Sequence, residues 1–228
     1  MKKGVVGIGD SYMWGESLYL YSEYKNLPFK PTHGYNSNDM RVSFLKFKNK
    51  HRYITKVGNY LDTWSLTNIN NGGDNVGMLT QFNEDFIDSG KLLYDDIGLI
   101  IYQFTGPERC ELPIQDQFDI LLENVKIWKK HNIPYYFLSW LDIYEYHPLY
   151  EKYFMDKHIS IINTDGRKMF GWDELVNTEN STLSVESDFS KNGYQVGDIH
   201  LNIKGHDVVT NSIIDRLIKD KLTSKKIL

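Results

Sequence analysis

The sequence predicts an α/β domain built on a largely parallel sheet, and three observations carry that prediction. Short apolar runs alternate along the chain with amphipathic stretches, as strands and their covering helices do in such folds. One run, Ile97-Gly98-Leu99-Ile100-Ile101-Tyr102, is almost wholly apolar, as a strand covered on both faces must be. The 228 residues, 41% hydrophobic and 25% charged, suit one ordinary globular domain and are too apolar for a disordered chain.

The first strand is Gly4 to Gly9 (Gly-Val-Val-Gly-Ile-Gly), which ends abruptly in Asp10-Ser11. Asp39 to Leu61 reads as a helix, its apolar residues only roughly periodic. Ser65 to Ile69 is a short second strand that closes on Asn70-Asn71-Gly72-Gly73, and Val76 to Ile87 a second helix. After the third strand, Phe118, Leu121, Leu122, Val125 and Trp128 recur at helical spacing, with lysines at the end where they complement the dipole. Ile133 to Leu138 is the fourth strand. Val208, Val209, Ile213, Ile214, Leu217 and Ile218 stripe the last helix, with Asn202 as its N-cap. Two stretches break the alternation: Ser17 to Asn36, with four tyrosines and two prolines, and the polar Asn177 to Gln195. The expected organisation is one domain, 1–228, with loop-rich insertions near 17–36 and 177–195.

Composition removes several classes of function. Lys plus Arg total 26 against 30 acidic residues, a net charge of −4, so the basic excess of a nucleic-acid binder is missing. A lone cysteine, Cys110, excludes an internal disulfide framework and a cysteine zinc site. The seven histidines form no His-Glu-x-x-His pair, and no metal or cofactor is expected. No stretch approaches the ~18 apolar residues of a membrane span. The apolar run Val5 to Ile8 is too short for a signal peptide, and the expectation is a cytoplasmic protein without a membrane partner. Aromatic residues reach 14%, with 16 tyrosines; they suit sugar stacking or an acyl pocket, and equally a core or an interface.

The first motif is Gly9-Asp10-Ser11-Tyr12-Met13-Trp14-Gly15. A serine on the turn after a buried strand stands at the carboxyl edge of a parallel sheet, where open α/β folds bind ligands. Backbone N–H groups of such a turn can hold a developing oxyanion. Gly7-Ile8-Gly9 begins a dinucleotide fingerprint, but its third glycine would fall at Tyr12. A bare Gly-Asp-Ser also fits a plain turn. The second motif is Gly197-Asp198-Ile199-His200-Leu201-Asn202, just before the last helix. His200 reaches Ser11 only if that helix packs back beside the first strand. Asp198 could then accept the imidazole Nδ1 proton and fix the tautomer of a general base. A structural or surface histidine is the competing reading.

Together these blocks resemble the SGNH, or GDSL-type, hydrolase superfamily. The resemblance lies in Gly-Asp-Ser with Gly15, in Asn71-Gly72-Gly73-Asp74-Asn75, and in Asp198-x-His200-x-Asn202-x-x-Gly205-His206. It spans nearly the whole chain in the right order. It implies a three-layer α/β/α fold of flavodoxin type with a mainly parallel five-stranded sheet. It implies hydrolysis of esters, with Ser11 as nucleophile, His200 as general base and Asp198 as the orienting acid. The backbone N–H groups of Ser11 and Gly73 match two oxyanion donors.

Two departures accompany the resemblance. The family commonly places its acid three residues before the histidine, where this chain has Gly197; a Ser-His dyad is therefore the alternative to a triad. Its third block, Gly-x-Asn-Asp, is replaced by Thr105-Gly106-Pro107-Glu108-Arg109, so the usual asparagine donor is missing. The Thr105 hydroxyl, the Gly106 N–H and Arg109 are candidate substitutes, and a structural ion pair is the competing role for Glu108-Arg109. This form of the block is similar to that of some phage-encoded members. The expected partner is a small-molecule or carbohydrate ester, an O-acetylated sugar by preference. A ligand-binding module on the same scaffold and an acyltransferase using the same Ser-His pair are the alternatives.

Overall fold

Five parallel strands form the centre of the molecule in the order β2-β1-β3-β4-β5: β1 Gly4–Ile8, β2 Ser65–Thr67, β3 Ile97–Gln103, β4 Tyr135–Ser139 and β5 His158–Ser160. The structure is a computed structural model, and it describes residues 2–10, 13, 15, 18, 46–68, 73–139, 148–160, 201 and 203–222. Among the described residues the α-helices are α1 Tyr53–Tyr60, α2 Asn75–Phe82, α3 Ile114–Lys130, α4 Pro148–Tyr153 and α5 Ile203–Lys219. Residues 46–51 are also helical.

Period-two alternation sends each strand's side chains to two separate cores. Val6, Ile8, Ile100, Tyr102 and Phe137 face α2, α3 and α4, whose Phe82, Phe118, Trp128 and Tyr150 complete that cluster. Val5, Leu99, Ile101, Tyr136 and Leu138 face α1 and α5, where Ile54, Val57, Val209 and Ile213 meet them. Helices on both faces of a parallel sheet make a three-layer α/β/α fold: the alternation predicts the parallel α/β domain, and the resemblance implied its three layers. Gly7 belongs to the second face and shows why no larger residue fits there. A Cβ on it would lie 2.6 Å from Met13 Sδ and 2.7 Å from Ile54 Cγ1.

The aromatic enrichment is largely a core property among the described residues. Phe104, just beyond β3, packs with Phe118, Phe137, Tyr150 and Phe154 at ring separations of 5.3–6.1 Å. The insertion near 17–36 lies outside the described residues apart from Leu18, and that near 177–195 lies outside entirely. Among the described residues no helix is long and apolar enough to cross a membrane.

Three elements differ from the sequence reading. The helix expected over Asp39 to Leu61 is broken at Arg52, whose backbone is extended (φ −63°, ψ 135°); residues 39–45 lie outside the described residues. The break turns the Arg52 side chain inward against Gly15, which occupies a left-handed conformation (φ +75°) that excludes a Cβ. The helix expected over Val76 to Ile87 runs as α2 and then loosens into a π-helical turn at Asn83–Asp88. Last, β5 has no matching apolar run, because His-Ile-Ser is too short to show a pattern; only the family resemblance implied a fifth strand.

α5 is fixed across β4 and β5 by Arg216 and Asp220. Tyr136 Oη donates to Asp220 Oδ2 at 2.6 Å, Arg216 Nε donates to the same oxygen at 3.1 Å, and Arg216 Nη1 donates to the His158 carbonyl at 3.1 Å. These bonds hold the C-terminal end of α5 at the amino edge of β4. The N-terminal end therefore lies at the carboxyl edge.

Phe104→Ala should cost about 3–5 kcal/mol, because the aromatic shell around it cannot collapse fully; urea unfolding measures it, and a loss below about 1 kcal/mol would contradict the packing. A second expectation concerns acid. Burial, helped by the Arg216 charge, pushes the His158 imidazole down to about 4. Burial, helped by the Lys56, Arg52, Lys48 and His51 charges, holds His206 well below its ordinary value. The unfolded chain takes up a proton at each near pH 6.5 and the folded chain does not. Their contribution is thus complete above that pH and is lost as the pH falls toward the folded values, by ~1.4 kcal/mol per unit for each ring. Stability should fall by roughly 2–4 kcal/mol between pH 7 and pH 5, read from urea midpoints. Equal midpoints would show that the rings are not buried neutral.

Candidate active site

In the strand order β2-β1-β3-β4-β5, the connections leaving β1 and entering β3 lie on opposite faces, which opens a crevice outside their carboxyl ends. The residues immediately beyond β1 and β3 therefore define where a ligand binds. Asp10 lies there, only 2% exposed. A carboxylate withdrawn from water costs several kcal/mol unless other groups compensate it, and the neighbouring strand supplies the compensation. Gln103, the last residue of β3, donates from Nε2 to Asp10 Oδ1 at 2.5 Å. The Tyr53 hydroxyl, from the start of α1, donates to Gln103 Oε1 at 2.6 Å. Burial and the Asp10 charge raise the Tyr53 pKa far above its ordinary value, so the phenol stays a neutral donor.

On the open side, Arg109 Nη1 stands 3.5 Å from Asp10 Oδ2 with its side chain 43% exposed. The ion pair considered as one role for Glu108-Arg109 thus exists at the sheet edge, but it joins Arg109 to Asp10 rather than to Glu108. The loop after β3 is tied down from its other side by α2. Asp74 caps α2, accepting from the Val76 and Gly77 N–H groups at 2.9 and 2.8 Å, which satisfies two otherwise orphaned donors. Asn75 then grips Thr105 by its main chain. Asn75 Oδ1 accepts from the Thr105 N–H at 2.9 Å, and Nδ2 donates to the Thr105 carbonyl at 3.3 Å and to Gln117 Oε1 at 3.0 Å. Gln117 Nε2 donates onward to the Pro107 and Leu112 carbonyls at 3.0 and 2.8 Å.

These bonds decide what the edge can do. Asn75, Gln103 and Gln117 all have their amides engaged internally, so none of them is an open side-chain donor for a ligand. Arg109 is held by Asp10. Neither Gly73 nor Gly106 has a hydrogen-bond partner for its backbone N–H among the described residues. Of the proposed substitutes, Arg109 is paired with Asp10, whereas the Gly106 N–H has no partner among the described residues. The structure thus gathers Gly73, Thr105, Gly106 and Arg109 around one carboxyl edge, through Asn75 and Asp10.

The catalytic candidates Ser11, Asp198 and His200 lie outside the described residues, as does Asn202. Their neighbours are placed. Met13 and Leu201 are buried in the same core cluster. A Cβ on Gly15 would stand 3.4 Å from His206 Nε2, in the first turns of α5. His206 itself is fully buried, its ring 5.5 Å from that of Tyr53, with both nitrogens lacking a hydrogen-bond partner among the described residues. The N-terminal end of α5 thus lies against Gly15, while the helix packs on α1 and β5. Tyr53, Gln103 and Gln117 were given no role from the sequence, and Asn75 entered only as the last residue of the Asn71-Gly72-Gly73-Asp74-Asn75 block. The one signal was an amide closing an otherwise apolar run at Gln103.

Comparisons with protein-family models, with curated proteins and with solved structures found no match to this chain.

Asn75→Ala should leave the buried Thr105 N–H without an acceptor and cost about 1–3 kcal/mol. Asn75→Asp keeps that acceptor but sets a carboxylate against the Thr105 carbonyl and Gln117 Oε1, and should cost more than the alanine. Urea unfolding of both variants checks the order. An aspartate variant as stable as the parent would contradict the bonds from Asn75 Nδ2 to the Thr105 carbonyl and Gln117 Oε1.

Proposed function

We propose that this chain is a serine esterase of the SGNH type, acting on a small acyl ester, by preference an acetyl group on a carbohydrate. One observation carries the reading. The flanks of the Gly-Asp-Ser turn and of the Asp-Ile-His segment meet at the carboxyl edge, with Gly15 against His206 and Met13 with Leu201 in one cluster. A nucleophile and a base drawn from opposite ends of the sequence need that meeting.

In the proposed reaction Ser11 Oγ attacks the acyl carbonyl while His200 takes its proton. The proton then passes to the departing alcohol, leaving an acyl-enzyme. Water, activated by the same imidazole, releases the acid and restores Ser11. Asp198, or a backbone carbonyl in a dyad, orients the base. The base contributes ~10²–10⁴ in rate. The N–H groups of Ser11, Gly73 and Gly106 hold the oxyanion, where one donor is worth ~10²–10³.

A second reading is favoured by the internal engagement of Asn75, Gln103 and Gln117. With these three side-chain amides engaged elsewhere, the crevice would hold a ligand without turning it over. Intact mass after incubation with a fluorophosphonate separates the two. The esterase reading predicts a single adduct on the wild type, none on Ser11→Ala, and labelling slowed at least ~10²-fold in His200→Ala. An adduct that persists in Ser11→Ala, or none on the folded wild type, would reject Ser11 as the nucleophile.

A further inference from the structure

The carboxyl edge contains a buried polar chain that the proposed chemistry does not itself consume. It runs from Tyr53 on α1, through Gln103 at the end of β3, to Asp10 at the end of β1, with bonds of 2.6 and 2.5 Å. All three side chains are buried. The two bonds are coupled, because an amide accepts at one end and donates at the other. A hydroxyl donating to Gln103 Oε1 turns the amide NH2 group toward Asp10. Turned the other way, Gln103 would press its carbonyl oxygen on a carboxylate at a site with little water to screen it.

Packing alone gives no reason for these residue types. Phenylalanine at 53 and an aliphatic residue at 103 would fill the same space without the cost of burying polar groups. The chain ends on the residue immediately before Ser11. Arg109 Nη1, 3.5 Å from the other Asp10 oxygen, closes the bracket from the solvent side.

We propose that Tyr53 and Gln103 are positioning residues, which hold Asp10 and thereby set the Ser11 turn in its reactive placement. The chemical consequence rests on the Ser11 reading; the mechanical one, that Tyr53 holds the Gly9-Asp10 turn, does not. Displacing a reacting group by about 1 Å costs ~10²-fold in rate, so a small loosening of the turn has a measurable effect. Tyr53→Phe removes a single oxygen, keeps the ring beside His206 and frees the Gln103 amide to rotate. Gln103→Glu sets a second carboxylate against Asp10. Combining it with Asp10→Asn reverses the polarity of the bond: the introduced amide donates to the introduced carboxylate, which still accepts from Tyr53.

The test combines hydrogen exchange around Gly9–Asp10, fluorophosphonate labelling rate and urea stability for Tyr53→Phe, Gln103→Glu and Asp10→Asn/Gln103→Glu. The expected result for Tyr53→Phe is faster exchange at Gly9–Asp10 and labelling slowed ~10–100-fold, out of proportion to any change in urea midpoint. The double variant should recover at least about tenfold in labelling over Gln103→Glu alone. Unchanged exchange at Gly9–Asp10 in Tyr53→Phe overturns the proposal, as does labelling that follows global stability through all three variants. A wild type that takes no label removes the Ser11 reading, and the exchange result still decides: faster in Tyr53→Phe supports the holding role, and unchanged rejects it.

Discussion

A buried carboxylate at the end of the first strand is the constraint around which this molecule is arranged. Asp10 is almost fully withdrawn from water, and a charge placed there requires polar partners from several directions. Gln103 comes from the adjacent strand, Tyr53 orients Gln103 from the helix on one face, and Arg109 approaches from the loop beyond β3. Each partner sits on a different element. The carboxyl ends of β1 and β3, α1 and the loop after β3 are therefore locked into one register. The strand order that opens a crevice between β1 and β3 places this lock at its floor.

A second set of bonds completes the edge from the opposite face. Asn75 joins the start of α2 to Thr105, and Gln117 joins α3 to the same loop. Together the two networks leave the loop after β3 little freedom, although it has no regular structure beyond the short turn Pro107–Arg109. Rigidity of this kind is what a site requires if backbone N–H groups are to meet a developing charge without rearranging. Asn75 fixes the loop through both main-chain groups of Thr105.

Strands β1, β3 and β4 were legible because each is an apolar run bounded by polar or turn residues, the pattern a doubly covered strand demands. The end of the helical stretch at Arg52 was not, since an extended residue between two helical segments leaves the apolar spacing almost unchanged. β5 was not legible from its residues either, because three residues carry no period. At the edge, the sequence singled out Gly73, Thr105, Gly106 and Arg109 by their place in motifs. It could not show that Arg109 turns back to Asp10, since ion pairs across strands depend on register. Tyr53, Gln103 and Gln117 were missed, and Asn75 was seen only as part of a block, for a related reason. A polar side chain within an apolar pattern looks like an interruption until its partner, distant in sequence, is in view.

In the proposed function, Ser11 and His200, from the two ends of the chain, share one reaction centre at this edge. The most direct measurement is a histidine-detected NMR titration of the protein before and after reaction of Ser11 with a fluorophosphonate. The account predicts that the His200 ring resonances shift on adduct formation and that their pKa rises, as an imidazolium hydrogen-bonded to the phosphonyl oxygen requires. An adduct on Ser11 that leaves His200 unmoved would overturn the proposed pairing of the two.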